Sequence, residues 1–437
     1  MRIVLCKGQI LGPISGSDET LVTYAIQLQK AGHSVSVLLM YLSSEEDQYY
    51  KRLLNANVQV SWIASNLAQT SLGAGRKLAH KMFRIFPASK QIIRSRAQRV
   101  VTGMATRYYR QCRGYLERQN PDLMHVITPD PSAMVMIRAG HDAGIPIIYQ
   151  ELGLPYHPPD FESYYQQFTT VLPLCTEIAA LSPELVERCR EKLPFSNSLS
   201  VLPIMSDEIV NEVLTERKSN GHVNFGFAAR IEELKGPMVL MDAFGSAYGH
   251  EPNVFLKVAG DGSQREMVAA RARTLNASGH YQYCGIYTRP EERRAFMHDL
   301  DVFVMPSFTE GTPNSIIEAM ADGKPVIASA VGGIPDMIDS ESGIIVPPGD
   351  VTALAEAMLL LAQNPEKRAR MGKAAYDRYQ KLFSPKAVVP LMLETYDRVA
   401  NGNKSAQPAK CNESRHPWGN SQVQAASHLV QVGRLDN

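Results

Sequence analysis

Residues 301–329, DVFVMPSFTEGTPNSIIEAMADGKPVIAS, decide the fold class of the chain. The apolar runs at 302–305 and 325–329 each have the length of a buried strand. Between them, Pro313 is well placed at the first position of a helix, where its missing N–H group costs nothing. A strand, a helix and a second strand in this order predict a parallel βαβ unit.

The same alternation of strand and helix patterns extends along most of the chain. In the N-terminal half, strands are predicted at 3–6, 35–40, 58–63, 123–128, 146–150 and 178–181, and Asp18 is expected to cap the first helix. After the polar stretch 215–221 the pattern restarts, with strands predicted at 223–228, 254–259, 281–284 and 343–346 and helices at 237–248 and 351–362. Because 437 residues exceed the size at which a single core stops growing, we expect two successive α/β units.

Composition and charge argue against several classes of protein. With 45 Lys and Arg against 44 Asp and Glu, the net charge is +1, so we expect no nucleic-acid partner. No apolar run approaches the roughly 18 residues that a membrane-spanning helix needs, and the apolar start of the chain is too short for a secretory signal. The 6 cysteines are scattered without a Cys-x-x-Cys pair, which favours free thiols and a cytoplasmic location.

The segment 76–118 is strongly basic, although the whole chain is nearly neutral. Glu117 is its only acidic residue. Apolar residues recur at helical spacing within it, at Ile93, Ala97, Val100, Met104 and Tyr108. Such a helix can lie on an anionic membrane surface, or it can face the core and leave a basic face in solvent. Both interpretations stay open. The first predicts peripheral contact with the inner face of the membrane.

The loop and helix at 306–321 carry the stronger set of candidate binding groups. At the helix start, the free N–H groups of Asn314 and Ser315 are expected to bind phosphate or another anion. Glu310 lies just before the helix and Glu318 on its second turn, so the two carboxylates are expected at different depths of one cleft. A carboxylate accepts hydrogen bonds from a vicinal diol, which ribose and sugars offer. The alternatives are a helix-dipole role for Glu310 and a solvated helix face for Glu318.

A cationic loop, ARIEELKGP at 229–237, is the second candidate set. Arg230 and Lys235 can reach a leaving diphosphate together and stabilise the negative charge that develops on it. The alternative is that both are solvated loop cations paired with Glu232 and Glu233.

Other short motifs do not predict a cofactor site. Asp299-Leu300-Asp301 has a metal-like spacing, but it precedes a buried strand, so we reject a metal there. Gly260-Asp261-Gly262 lacks the third glycine of a dinucleotide fingerprint, and no Walker A sequence occurs.

Taken in order, the motifs of the C-terminal half resemble glycosyltransferase family 4, a family of retaining enzymes with the GT-B fold. The matching stretches are the Arg230-x4-Lys235-Gly236 loop, the residues 258–262, the residues 301–307, the pair Glu310 and Glu318, and the residues 323–333. The resemblance covers about residues 222–383 and is specific, because several motifs occur in family order and spacing. The N-terminal half matches more loosely.

The resemblance implies an α/β architecture in which two Rossmann-like, doubly wound parallel-sheet domains face a central cleft. An acceptor-binding domain is expected at 1–203, joined by a crossover helix at 384–400. A nucleotide-sugar-binding domain is expected at 204–383. The polar segment 401–437 is expected to be a disordered tail.

The resemblance also implies roles for the candidate residues. Arg230 and Lys235 would hold the donor diphosphate, Glu318 the ribose and Glu310 the donor sugar, so that the catalytic candidates are Glu310, Arg230 and Lys235. Further nucleotide-sugar-binding groups would come from Gly311, Thr312, Asn314, Ser315 and, in the N-terminal domain, Gly16, with Gly12 beside it.

Two positions in the N-terminal half depart from the family pattern. Where many members have His-x-His after the fourth strand, this chain has His125 and Ile127. Where many have a histidine after the fifth strand, it has Gln150 and Glu151. For His125 itself, within a predicted strand, we favour a core histidine. The departures leave the acceptor side open.

The function expected from these features is retaining transfer of a sugar from a nucleotide-diphosphate-sugar, with UDP-sugar favoured, to a glycan or lipid-linked acceptor. The resemblance implies no metal and no bound cofactor. Two alternatives remain: a catalytically degenerate nucleotide-sugar-binding subunit, and a nucleotide-sugar epimerase on the same fold.

Overall fold

A computed structural model of the chain describes residues 1–10, 16–42, 44, 47–64, 90–127, 131–153, 168–193, 198–206, 221–275, 278–287 and 289–402, with only the helix backbone described at 90–104 and 131. The loop residue Gly12, the basic residues 76–89 and the tail from 403 onward lie outside this part of the chain. So do residues 207–220, and the domain boundaries drawn from the sequence stay predictions.

Seven parallel strands form the N-terminal sheet of the described chain. They are β1 (Arg2–Lys7), β2 (Ser34–Tyr41), β3 (Gln59–Ala64), β4 (Leu123–Ile127), β5 (Ile147–Glu151), β6 (Glu177–Ala180) and β7 (Ser198–Val201). Their order across the sheet is β3-β2-β1-β4-β5-β6-β7. Six of these strands were predicted within one or two residues. β7 was missed because SLSV at the sheet edge alternates serine with apolar residues and has no continuous apolar run.

Six parallel strands form the second sheet of the described chain. They are β8 (Val223–Ala228), β9 (Val254–Ala259), β10 (Tyr281–Gly285), β11 (Val302–Met305), β12 (Val326–Ser329) and β13 (Gly343–Val346), in the order β10-β9-β8-β11-β12-β13. The two sheets therefore share one doubly wound topology, as expected from the sequence. Strands β4, β5 and β11 are buried along their whole length, as in parallel sheets covered by helices on both faces.

Helices connect and cover the strands of both sheets. Those of the N-terminal half are α1 (Gly16–Lys30), α2 (Gln48–Asn55), α3 (Lys90–Gln119), α4 (Pro131–Asp142) and α5 (Pro183–Lys192). Those that follow are α6 (Pro237–His250), α7 (Arg265–Thr274), α8 (Pro290–His298), α9 (Asn314–Ala321), α10 (Ile334–Met337), α11 (Val351–Gln363), α12 (Pro365–Leu382) and α13 (Pro385–Ala400).

The last helix returns to the N-terminal sheet. Val388 and Met392 of α13 belong to the same buried cluster as Leu21 and Leu28 of α1. The chain therefore crosses twice between the two α/β units, which ties their relative position to the packing of α13.

The expected cap of α1 is wrong. The helix begins at Gly16, so Asp18 lies in its first turn. There it is buried and its Oδ1 lies 2.9 Å from Nζ of Lys7, at the end of β1. Asp18 pairs with the buried ammonium of Lys7 instead of capping the helix, because an unpaired buried ammonium has a high cost in free energy.

Each sheet reverses its strand order beside its first strand, between β1 and β4 and between β8 and β11. In such sheets, the loops at the carboxyl ends of the strands on either side of the reversal leave a crevice that binds ligands. The two crevices meet: Nδ2 of Asn314 donates a hydrogen bond of 2.9 Å to the carbonyl oxygen of Gly16 in the other unit. The candidate residues of both halves converge on this place.

Candidate active site

A cavity of about 370 Å³ lies between the two units at this meeting point. Its volume is in the range of small-molecule binding sites. The candidate residues that the structure describes line it, namely Gly16, Arg230, Lys235, Glu310, Gly311, Thr312, Asn314, Ser315 and Glu318. The structure therefore brings these candidates together, whereas Gly12 lies outside the described residues.

The cationic loop is held close to the glutamate loop by a glycine. Gly236 has a φ of +67°, and a Cβ there would lie 2.0 Å from the carbonyl oxygen of Pro306. The backbone N–H of Phe308 also donates to the carbonyl oxygen of Leu234, at 2.9 Å. This close approach of two loops places Lys235 beside Glu310.

Lys235 and Glu310 form an ion pair inside the cavity. Nζ of Lys235 lies 2.7 Å from Oε1 of Glu310, and the two side chains are 17% and 8% exposed. The Ser307 hydroxyl donates to the same carboxylate oxygen at 2.8 Å. A helix-dipole role for Glu310 stays an alternative, since an ion pair does not exclude it. The alternative of a solvated cation is wrong for Lys235, which pairs with neither Glu232 nor Glu233 among the described contacts. Glu232 instead accepts hydrogen bonds from Ser263.

Arg230 is exposed at the mouth of the cavity, on the same loop as Lys235. Its position leaves the guanidinium able to meet an anion that enters from solvent. The two cations of the loop thus lie at different depths, and Lys235 is the deeper one.

The start of α9 faces the cavity, one residue later than predicted. Pro313 has an extended ψ of 125° and precedes the helix, which begins at Asn314. The prediction that Pro313 is the first helical residue is therefore wrong by one position. The first N–H groups of a helix have no partner within it, so those of Asn314 and Ser315 still point toward an anion site. The Asn314 side chain holds Gly16, where a Cβ would lie only 3.1 Å from Nδ2.

Glycines also fix the loop before α9. Gly332 has a φ of +56°, and a Cβ there would lie 1.8 Å from the carbonyl oxygen of Glu310. The N–H of Gly333 donates to the carbonyl oxygen of Gly311 at 2.8 Å. On its other side, a Cβ at Gly311 would meet the carbonyl oxygen of Leu152 in the N-terminal unit at 2.3 Å. The glutamate loop is therefore enclosed by backbone from both units.

Glu318 is buried, so the alternative of a solvated helix face is wrong. Its Oε1 lies 3.1 Å from Nη1 of Arg293 on α8. The same nitrogen lies 3.3 Å from Oε1 of Glu19 on α1, and Arg52 of α2 contacts Glu19 at 2.7 Å. Sequence analysis missed these three partners. Each is an ordinary charged residue on a surface-type helix, and only the docking of the two units brings them together.

The charges in this cluster shift the pKa values of its carboxyls. Burial acts to raise the pKa of Glu19, but the charges of Arg293 and Arg52 outweigh it and lower the pKa to about 2. Burial raises the pKa of Glu318, although the charge of Arg293 opposes the shift. Arg293 thus acts to lower the pKa of both carboxyls, although the net shifts of Glu19 and Glu318 run in opposite directions.

The departures in the N-terminal half belong to the core. His125 is fully buried, its Nδ1 lies 2.6 Å from the Tyr396 hydroxyl of α13, and burial lowers its pKa to about 3. This confirms the interpretation of His125 as a core histidine. Nε2 of Gln150 donates to the carbonyl oxygen of Leu202 at 2.8 Å, and Ile127 is buried in the apolar core. His125 thus contacts the crossover helix, whereas Gln150 bonds the segment that follows β7.

Glu151 is a buried carboxyl at the end of β5, next to Leu152 of the cavity wall. It accepts hydrogen bonds from the Tyr149 hydroxyl at 2.8 Å and from the N–H of Gly153 at 3.2 Å. Burial outweighs both bonds and raises its pKa to about 7. The carboxyl therefore changes charge near neutral pH, close to the loop that touches Gly311.

The described side chains of α3 turn their apolar face to the core. Tyr108, Cys112 and Leu116 are buried, while Arg107 and Arg110 are exposed. This pattern fits a core-facing helix with a basic face in solvent over residues 105–119. Membrane contact through the segment 76–118 stays a prediction. Among the described residues, no helix is both long and apolar enough to span a membrane.

The Asp299-x-Asp301 spacing is accounted for by structural contacts. Asp299 forms an ion pair with Lys257, and Oδ2 of Asp301 accepts a hydrogen bond of 2.7 Å from the N–H of Asn224. Within the described ranges, no group of three or more His, Cys, Asp or Glu residues is arranged to hold a metal ion.

A family model and curated relatives match part of the sequence. Residues 215–378 match the family model described as glycosyl transferases group 1. A D-inositol 3-phosphate glycosyltransferase from Corynebacterium glutamicum is 30% identical over 185 residues, which are 40% of this chain and 44% of that protein. A glycogen synthase from Mycobacterium tuberculosis is 26% identical over 193 residues, which are 44% of this chain and 46% of that protein. The matches span less than half the length of each relative.

The likeness to solved structures extends over both units. A crystal structure of Anabaena HepE in complex with UDP and glucose covers 90% of this chain and 99% of that one, with a TM-score of 0.68 and 16% sequence identity. Two parallel-sheet α/β domains around a cleft place the molecule in the GT-B class of folds. Within that class, the segment 215–378 matches the model of the group 1 glycosyl transferases.

Proposed function

We propose that this protein is a retaining, metal-independent glycosyltransferase of family 4 that moves a sugar from a nucleotide-diphosphate-sugar to an acceptor hydroxyl. The observation that carries the proposal is the ion pair of Lys235 and Glu310, next to the start of α9, at the meeting point of the two crevices. A diphosphate and a sugar joined to it need cations, free N–H groups and a carboxylate within one cavity, and this place supplies all three.

Donor binding is proposed to rearrange the ion pair. The incoming diphosphate takes Lys235, with Arg230 at the cavity mouth and the N–H groups of Asn314 and Ser315. Glu310 then keeps its hydrogen bond from Ser307 and accepts hydroxyl groups of the donor sugar. Glu318, on the second turn of α9, accepts hydrogen bonds from the ribose diol.

In the proposed reaction, the bond between the anomeric carbon and the diphosphate oxygen breaks while the acceptor oxygen attacks on the same face. The anomeric configuration is therefore retained, and the acceptor proton passes to the leaving diphosphate. Arg230 and Lys235 stabilise the charge that develops on the leaving oxygen, a kind of contact worth roughly 3–4 kcal/mol in a water-excluded site. Domain closure limits hydrolysis.

The donor is proposed to be a UDP-sugar and the acceptor a glycan or a lipid-linked glycan. The HepE complex with UDP and glucose supports the first part by analogy of fold. The curated relatives that act on inositol phosphate and on glycogen support an acceptor rich in hydroxyl groups. A cytoplasmic location follows from the proposed use of a nucleotide-sugar.

A screen of UDP-, GDP- and ADP-sugars by thermal shift and by slow hydrolysis tests the proposal, first with chelator and then with added metal. We expect one nucleotide to raise the unfolding temperature without metal and to be released slowly from its sugar. A shift without release under any acceptor would instead support a degenerate binding subunit. A changed sugar still attached to its nucleotide would support an epimerase.

A further inference from the structure

Four charged side chains from four helices meet across the boundary between the two units. Glu19 and Arg52 come from α1 and α2, and Arg293 and Glu318 come from α8 and α9. We call these four residues the interdomain quartet. Nη1 of Arg293 is its centre, at 3.1 Å from Glu318 and 3.3 Å from Glu19.

The quartet is electrically neutral and largely buried. The side chains of Glu19 and Glu318 are about 10% exposed, and those of Arg52 and Arg293 slightly less than 20%. Burying such charges is expensive, and apolar side chains of similar size often stabilise a protein as well or better. Stability alone is therefore a weak reason for this arrangement, and its place in the molecule suggests another.

All four members line the same cavity as Lys235 and Glu310. Arg293 contacts Oε1 of Glu318, and Tyr287 forms a further side-chain hydrogen bond with the same carboxylate. One nitrogen thus connects a donor-facing carboxylate of the C-terminal unit with a carboxylate of the N-terminal unit. A shift of one unit against the other changes both contacts at once.

We propose that Arg293 is a positioning residue, which orients the Glu318 carboxylate toward the donor and ties it, through Glu19, to the N-terminal domain. The inference rests on the proposed function, because it takes Glu318 as a donor-binding group. Donor binding and docking of the N-terminal domain then depend on one guanidinium.

The electrostatics give this role a signature in pH. Burial raises the pKa of Glu318, and the negative charge of Glu19 raises it further, while Arg293 opposes both. Without Arg293 the carboxyl takes up a proton more readily, and a protonated carboxyl accepts hydrogen bonds from a diol less well.

Other titratable or charged groups lie around the pair of Arg293 and Glu318 in the described part of the chain. They are Tyr287 in the loop before α8, Tyr49 and Arg52 on α2, and Lys30, Arg289, Arg294 and Lys386, which line cavities that Arg293 and Glu318 also line. Burial raises the pKa of both tyrosines above their ordinary value, so neither changes charge near neutral pH. Arg52 stays charged, so the pH signature belongs to Glu318.

The test compares donor KM and kcat of Arg293→Met and Arg293→Lys with wild type across neutral pH, using full-length protein. The matched control is Arg271→Met, which breaks a half-exposed pair with Asp242 in the same domain. We expect Arg293→Met to raise the donor KM about 10-fold or more, with a smaller change in kcat, and the rise to grow as the pH falls. Arg293→Lys should recover part of the loss, and the control should match wild type.

An unchanged donor KM in Arg293→Met would overturn the proposal. A rise in KM that is independent of pH and that Arg293→Lys does not relieve would overturn it as well.

If Arg293→Met does not fold, Glu19→Gln provides the second test. This substitution keeps the pair of Arg293 and Glu318 but removes the charge that ties Arg293 to the N-terminal domain. The compaction that we expect on donor binding, measured by small-angle X-ray scattering, should therefore be smaller than in wild type. Compaction equal to wild type would overturn the tie. If wild type itself binds no nucleotide-sugar, the proposed function fails. The contact between Arg293 and Glu19 is then tested by the unfolding temperatures of Glu19→Gln, Arg293→Lys and the double variant, whose effects should not be additive.

Discussion

Lys235 and Glu310 neutralise each other in the cavity, at 2.7 Å. A pair of this kind is ready to separate when a ligand offers each partner a better contact. The diphosphate would do so for the lysine and the sugar hydroxyls for the carboxylate. The same two residues would then hold the substrate at both ends of the bond that breaks.

At the residue scale, Lys235→Ala and Glu310→Gln should each lower transfer by about 100-fold or more, because each removes a contact that strengthens as charge develops. Turnover of a UDP-sugar with a suitable acceptor measures the effect. The control is Lys257→Ala, which breaks the ion pair with Asp299 outside the cavity. Circular dichroism should show folded protein for all variants. Wild-type rates in both cavity variants would contradict the assigned roles.

Glu151 gives a second prediction at this scale, about stability. Its pKa is raised from 4.5 to about 7 in the folded state, so folding is favoured while the carboxyl keeps its proton. The contribution is complete below pH 4.5 and is lost as the pH rises to about 7. Glu151→Gln should therefore gain stability relative to wild type over this range, by on the order of 3 kcal/mol at its upper end.

Urea unfolding at several pH values measures this difference in stability. The exposed Glu356→Gln on α11 is the control and should follow wild type at every pH. A constant difference between Glu151→Gln and wild type across the range would contradict the account of Glu151.

At the scale of elements, glycines let the loops of the second sheet approach one another. Gly236 and Gly323 have nearly equal φ values of +67° and +66°. Only at Gly236 would a Cβ meet backbone, at 2.0 Å from the Pro306 carbonyl oxygen, whereas at Gly323 the nearest atom lies 3.7 Å away. A comparison of these two positions therefore distinguishes the free-energy cost of a left-handed backbone from the cost of a steric clash.

We expect Gly323→Ala to destabilise the protein by about 1 kcal/mol, the usual cost of alanine at a left-handed position. Gly236→Ala should cost clearly more and should also weaken UDP binding, because the loop that carries Lys235 must move away from Glu310. Thermal unfolding and UDP titration of both variants measure this. Equal effects of the two substitutions would show that the loop contact is unimportant.

The elements of the second sheet were the most predictable part of the fold. β8, β9, β11 and β13 begin and end where their apolar runs do, as is typical of strands in parallel sheets. The first residues of helices were predicted less well. Pro313 precedes α9 instead of beginning it, and Asp18 forms an ion pair instead of a cap. Both depend on contacts with other parts of the chain, which local sequence does not contain.

At the scale of the whole molecule, the motif residues of the cavity and Gly16 of the N-terminal unit were found from sequence, whereas the charged partners Glu19, Arg52 and Arg293 were not. Glu310 and Glu318 stand in a recognisable motif within one βαβ unit. Glu19 and Arg293 are separated by most of the chain, and their contact exists only because the two domains dock. The same docking brings Asn314 to Gly16 and Gly311 to Leu152.

The most direct measurement of the central claim is calorimetric titration of UDP, with chelator present, into wild type, Lys235→Ala and the surface control Arg271→Met. The account predicts binding to wild type and to the control with equal affinity, and binding to Lys235→Ala that is weaker by about 10-fold or more, the cost of losing a charged contact. Equal affinity in all three proteins, or no binding to wild type, would contradict a nucleotide-sugar site in this cleft.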